Sequence, residues 1–219
     1  MPRTLQRPIT YLITGGETAD ATHASSEEFR RLLALIRSAV AARVTLVQLR
    51  EKNLSGRVLY ELASAAAGLA RGSATRVLVN DRADIARAAA CDGVHLTADS
   101  LDARVVRRAF GEDFLIGVST HSLEEARVAY AGGADFAVFG PVFDTPSKRA
   151  YGPPLGLEAL GAAARELEAF PVVALGGVST ENAAEVLGAG AGGVAGIRLF
   201  ADGQNLARTV HLIGGANQS

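Results

Sequence analysis

Short apolar runs rich in Val, Ile and Leu recur along the chain: Ile9 to Thr14, Val44 to Leu49, Val77 to Asn80, Gly93 to Leu96, Leu115 to Ser119, Phe136 to Gly140, Val172 to Leu175 and Gly193 to Ile197. Runs that stay apolar through consecutive positions are the signature of strands buried on both faces. Ala-rich amphipathic stretches separate them, with helix-start patterns at Ser25-x-x-Glu28 and Ser122-x-x-Glu125, in which hydroxyl and carboxylate satisfy free N-terminal amides. About eight strand–helix repeats of roughly two dozen residues predict an α/β fold, a single parallel (β/α)8 TIM barrel over residues 1–219. An open doubly wound sheet is the competing arrangement.

The chain balances 22 Lys and Arg against 23 Asp and Glu. A net charge of -1 gives no positive field to hold nucleic acid or an anionic membrane, so an anion has to be bound locally. The lone Cys91 excludes an internal disulfide and a multi-cysteine metal site. Met1-Pro2-Arg3-Thr4 runs into the first apolar segment without a signal core, and no stretch reaches membrane-spanning length. The expectation is a soluble, unexported, cytoplasmic protein. Small residues on the helices suit an oligomer interface and a monomer equally.

In a barrel, ligands bind at the C-terminal ends of the strands, which makes polar residues there informative. Gln48, Arg50 and Lys52 alternate along an extended segment; on one side they form a patch suited to a pyrophosphate, and otherwise a solvated loop with local charge pairs. Asn80-Asp81 precedes an Ala-rich helix, where Asp81 either holds Mg²⁺, with Asp99 as a second carboxylate, or caps the helix. Thr145, Ser147 and Lys148 lie in a long Pro- and Gly-rich connection, either an anion-binding substrate loop or a turn set by its prolines. Gly176-Gly177 ends a strand before a helix, and Arg198 follows the last strand; both suit phosphate, as does a plain turn with a surface ion pair. His95 has apolar neighbours and reads as a packed histidine, while His121 lies nearer the presumed site. Neither has a matched nucleophile for hydrolase chemistry.

Seven segments in order carry a resemblance to a known family: Val47-Gln48-Leu49-Arg50-Glu51-Lys52, Val79-Asn80-Asp81-Arg82, Asp92-Gly93-Val94-His95-Leu96, Gly117-Val118-Ser119, Gly133-Ala134-Asp135, Gly140-Pro141-Val142-Phe143 and Ala174-Leu175-Gly176-Gly177. From Ile9 to about Phe200 the chain resembles the thiamine phosphate synthase and thiazole tautomerase family. The resemblance implies a transferase that couples a hydroxymethylpyrimidine diphosphate to a thiazole phosphate and releases pyrophosphate with Mg²⁺. It places Gln48, Arg50, Lys52 and Asn80 on the pyrimidine diphosphate and Asp81 on the metal. Ser119 and Lys148 then face that substrate or the departing pyrophosphate, so Arg50, Lys52, Ser119 and Lys148 are the expected catalytic groups. Thr145 and Ser147 meet the thiazole phosphate, whose phosphate rests on Gly177, Ile197 and Arg198.

Three positions depart from the synthase pattern. Thr97-Ala98-Asp99-Ser100 stands where synthases carry Gly-Gln, an acidic residue and Asp, so the second metal ligand's place falls on Ser100, and Asp99 substitutes only if the loop shifts by a residue. A serine there resembles the tautomerase branch, which isomerises a thiazole carboxylate phosphate without metal. That branch's histidine has its place taken by Pro141, and Arg198 replaces a small serine. A tautomerase and a non-catalytic phosphate-ligand-binding barrel are therefore the alternative expectations.

Overall fold

A computed structural model describes residues 5–145 and 153–215. Strands and helices alternate as β1 (Ile9–Ile13), α1 (Glu27–Ala41), β2 (Leu46–Leu49), α2 (Gly56–Ala70), β3 (Arg76–Asn80), α3 (Ala83–Ala88), β4 (Gly93–Leu96) and α4 (Ala103–Phe110). They continue as β5 (Leu115–Thr120), α5 (Leu123–Ala131), β6 (Phe136–Phe139), α6 (Gly156–Glu166), β7 (Val172–Leu175), α7 (Ala183–Gly188), β8 (Gly193–Gly196), a 3-10 turn (Arg198–Phe200) and α8 (Leu206–Gly215). The strands pair in parallel in chain order, and β8 closes on β1 with Ile9 opposite Gly193. Closure removes the open sheet from consideration. No helix among the described residues is long and apolar enough to cross a membrane.

Both faces of each strand are buried because period two splits its residues between two cores. Ile9, Tyr11, Ile13, Leu46, Leu78, Leu115, Phe136, Val138, Val173 and Ala195 fill the barrel interior. The intervening positions, such as Leu12, Val47, Val79, Val94 and Ile116, pack on the helices. Gly117 makes room in the interior: a Cβ there would lie 2.4 Å from Phe136 Cζ and 2.8 Å from His95 Nδ1. At the closing seam, a Cβ on Gly193 would lie 2.1 Å from the Ile9 carbonyl oxygen.

The helix starts depart from the expected pattern in one place and refine it in another. Helix α1 begins after Ser26, whose side chain makes no capping bond. Ser25 instead bonds the His23 ring, and Ser26 Oγ accepts from His23 N–H at 2.9 Å, because both hydroxyls are drawn into the turn before the helix. Ser122 does cap α5 through the Glu125 N–H at 3.1 Å, while Glu125 returns its carboxylate to the His121 N–H at 2.7 Å.

Two of the recurring motifs prove to be stitches at the strand N-terminal ends. Asp92 accepts the Val77 N–H at 2.9 Å, and Asp135 accepts the Ile116 N–H at 2.7 Å while pairing with Arg107 at 2.7 Å. Each ties an incoming strand to its predecessor.

A Gly193→Ala variant should lose about 1–3 kcal/mol of stability, because the added methyl meets backbone that cannot move aside. Gly68→Ala, in exposed helix with open space around it, should gain about 0.5–1 kcal/mol. Urea denaturation of the two variants checks both directions.

Candidate active site

The C-terminal ends of β2 to β5 place polar side chains where the lower interior is apolar. Gln48 and Asn80 point inward at the same parity as Leu46 and Leu78. Gln48, 2% exposed, donates from Nε2 to Asn80 Oδ1 at 2.8 Å. Its Oε1 is buried without a partner among the described residues, and an unmet buried acceptor costs about 1–3 kcal/mol. It is an acceptor left without a donor at the C-terminal end of β2.

Asn80 passes the network on by donating from Nδ2 to Asp81 Oδ2 at 2.5 Å. Asp81 leaves the strand with φ 59°, a left-handed conformation that Asp tolerates better than most residues. The turn brings its carboxylate to the loop after β4, where Thr97 Oγ1 donates to Oδ1 at 3.1 Å and Ser100 Oγ donates to the same oxygen. Ser100 Oγ is itself held by the Thr97 N–H at 2.7 Å. Helix capping by Asp81 is set aside, since Arg82 occupies the N-cap of α3 and caps with no side chain. Asp99 is exposed on the same loop, and the neighbour delivered to Asp81 is Ser100.

Below this layer lies His95, the strand partner of Asn80. Its Nδ1 is 3.2 Å from the Tyr11 hydroxyl and its Nε2 2.9 Å from Ser119 Oγ. Burial pushes the imidazole down to about 4 against the opposing pull of Asp81, and burial also raises the Tyr11 phenol. Both rings are therefore uncharged near neutral pH. A buried Tyr11 O–H needs an acceptor, so Nδ1 accepts and the Nε2–H donates to Ser119. That tautomer leaves the Ser119 proton free to donate to a ligand. The expectation that His95 is a packed histidine holds, and it adds a positioning contact that neighbour counting along the sequence does not reveal.

Arg50 and Lys52 sit just past β2, Arg50 half-buried and Lys52 exposed. The Arg50 N–H donates to Thr14 Oγ1 at 2.8 Å. Between them, buried Glu51 accepts from the Gly16 N–H at 3.2 Å and the Thr18 hydroxyl at 2.8 Å. Thr14, Thr18 and Glu51 thereby lock the β1 and β2 loops together. Sequence reasoning passed over them; the signal was parity, since Glu51 alternates with Arg50 and Lys52.

On the far side, Gly176 and Gly177 have φ 97° and 66° and close contacts with Pro141 and Phe143. The Val142 and Phe143 N–H groups donate to the Leu175 and Gly176 carbonyls at 2.8 and 3.0 Å. Glycine here serves close approach of two loops and leaves Gly177 exposed at the mouth. Ile197 and Arg198 are exposed past β8, the strand beside β7. Thr145 Oγ1 donates to the Phe143 carbonyl at 3.2 Å, while Ser147 and Lys148 lie outside the described residues. His121 is exposed and paired with Glu125 at 3.4 Å.

A profile of the thiamine monophosphate synthase family matches residues 11–200. A Geobacter sulfurreducens protein named for thiamine-phosphate synthesis is 51% identical over 166 residues, covering 76% of this chain and 78% of that protein. A thiamine-phosphate synthase of Moorella thermoacetica is 44% identical over 165 residues, 75% of this chain and 78% of its own length. The solved thiamine phosphate pyrophosphorylase from Pyrococcus furiosus superposes with a TM-score of 0.79 at 29% identity, covering 96% of this chain and 95% of that one.

The His95 environment sets a pH dependence. Folded His95 takes a proton near pH 4 and the unfolded chain near 6.5, so between these values the unfolded state binds more protons and stability falls as pH drops. Urea denaturation from pH 7 to 4 should show a steeper loss in the parent than in His95→Gln; equal slopes would refute the neutral imidazole.

Proposed function

The chain belongs to the thiamine monophosphate synthase family, and from that membership we propose that it is a thiamine phosphate synthase. It couples a hydroxymethylpyrimidine diphosphate to a thiazole phosphate. The bond from the methylene carbon to the diphosphate oxygen breaks with its electron pair on the leaving group, and the thiazole nitrogen lone pair forms the new C–N bond. No enzyme nucleophile is required, so the work is binding, alignment and neutralisation of the leaving charge.

The observation that carries this reading is the hydrogen-bonded chain that runs from buried Gln48, whose amide oxygen has no partner among the described residues, through Asn80 to the exposed Asp81. An exocyclic ring amine is the donor Gln48 Oε1 lacks, and the adjacent half-buried Arg50 and exposed Lys52 suit a diphosphate linked to that ring. Ser119, with its proton directed outward by His95, donates to the same substrate. Lys148 and Ser147 are assigned to the departing pyrophosphate and thiazole phosphate from the family pattern, and Thr145 joins them at the loop's near end. Gly177, Ile197 and Arg198 are assigned to the thiazole phosphate.

The donor set fits Mg²⁺. Asp81 offers a hard carboxylate oxygen, and Mg²⁺ is commonly held by one or two carboxylates together with water and substrate phosphates. The ion, when bound, supplies charge neutralisation of the diphosphate. Asp99 is left to act through water. Because charged phosphorylated substrates do not cross membranes freely, the same reading places the protein in the cytoplasm.

Purified protein should form thiamine phosphate from the two substrates with Mg²⁺ and lose that activity on chelation. Asp81→Ala should abolish synthesis while leaving the circular dichroism spectrum unchanged. Full activity in Asp81→Ala would overturn the metal assignment, and absence of product under every condition would overturn the synthase reading.

A further inference from the structure

Tyr11 on β1, His95 on β4 and Ser119 on β5 form a line of polar side chains through the barrel interior. Tyr11 is fully buried, with the Phe136 ring edge-on to it at 5.5 Å between centroids. Among the described residues its hydroxyl has one hydrogen-bond partner, His95 Nδ1 at 3.2 Å. The strands leave no slack around that nitrogen, since a Cβ on Gly117 would lie 2.8 Å from it. At the half-buried end of the line, Ser119 Oγ has one partner among the described residues, His95 Nε2 at 2.9 Å.

One arrangement of protons satisfies every buried donor in this line. The Tyr11 O–H reaches only Nδ1, so Nδ1 carries a lone pair. A proton on Nδ1, in the other neutral tautomer or in a charged ring, would leave the phenol proton buried without an acceptor. The ring proton therefore sits on Nε2 and is donated to Ser119 Oγ, and the Ser119 proton is left for a ligand. Resting on the synthase reading, we infer that Tyr11 is a positioning residue for the transfer reaction: acting through His95, its hydroxyl holds Ser119 as a donor toward the bound substrate. Hydrogen bonds that point the same way polarise one another, so Tyr11 strengthens a donor that it does not touch. Without the phenol, Nδ1 is unmatched in either tautomer, and nothing bars Nε2 from taking the Ser119 proton.

The test pairs ¹⁵N NMR of the His95 ring at neutral pH, assigned by the signals missing from His95→Gln, with steady-state kinetics. The parent should carry its ring proton on Nε2, with Nδ1 shifted by a hydrogen bond that Tyr11→Phe removes. Tyr11→Phe keeps the ring against Phe136 and should lower kcat/KM about fivefold, the scale of one neutral hydrogen bond, while Ser119→Ala lowers it about tenfold or more. In the Ser119→Ala background, Tyr11→Phe should add no further loss, because both changes remove the same donor. An equal loss in both backgrounds would show a merely structural role and overturn the inference. A ring proton on Nδ1 in the parent would overturn it too, leaving the synthase reading intact. Absence of product from the parent would overturn the synthase reading and the role in transfer with it, while the spectrum still reports the tautomer. Should Tyr11→Phe fail to fold, the parent spectrum still decides.

Discussion

Closure of the parallel sheet governs where everything else can go. Once β8 pairs with β1, strand parity alone decides whether a side chain enters the barrel or meets a helix. Apolar side chains fill the inner positions in the lower part of the barrel, and the next inward positions toward the C-terminal ends become Gln48, Asn80, His95 and Ser119. The hydrophobic effect stabilises the first set. The second set is held in place by the strands that the first set positions, which is why a polar network can be buried without collapsing onto itself.

Within that layer, charge and neutrality are kept apart. His95 and Tyr11 stay uncharged under the site, where a buried ion would be costly, and serve as a rigid support for Ser119. Asp81 is placed at the rim, held by hydroxyl and amide donors. Arg50 and Lys52 flank Glu51 in sequence, and the Glu51 carboxylate accepts from Gly16 and Thr18 of the β1 loop. The C-terminal ends of β2 to β5 thus carry a hydrogen-bonding floor, a carboxylate and, just past β2, two cations, the components that an aromatic amine attached to a diphosphate requires.

Much of this was legible in the sequence. Consecutive apolar runs declared buried parallel strands, and the positions just after them located the site, because strand ends in this architecture are ligand-facing. Local chemistry was less legible. Whether Asp81 caps a helix, and whether Thr97 or Ser100 reaches Asp81, depend on a left-handed turn and on a loop from another strand. Spacing along the chain does not encode such contacts. Glu51 was hidden in plain view inside a basic segment, since its partners at Gly16 and Thr18 come from the preceding connection.

The most direct test is a crystal structure with the hydroxymethylpyrimidine diphosphate and Mg²⁺. The account predicts the pyrimidine amine on Gln48 Oε1, the diphosphate between Arg50, Lys52 and Asp81, and Ser119 donating to the same ligand. A ligand bound elsewhere, for example in the cleft lined by Arg7 and Arg165, with the Gln48 to Asp81 network unchanged and empty, would contradict it.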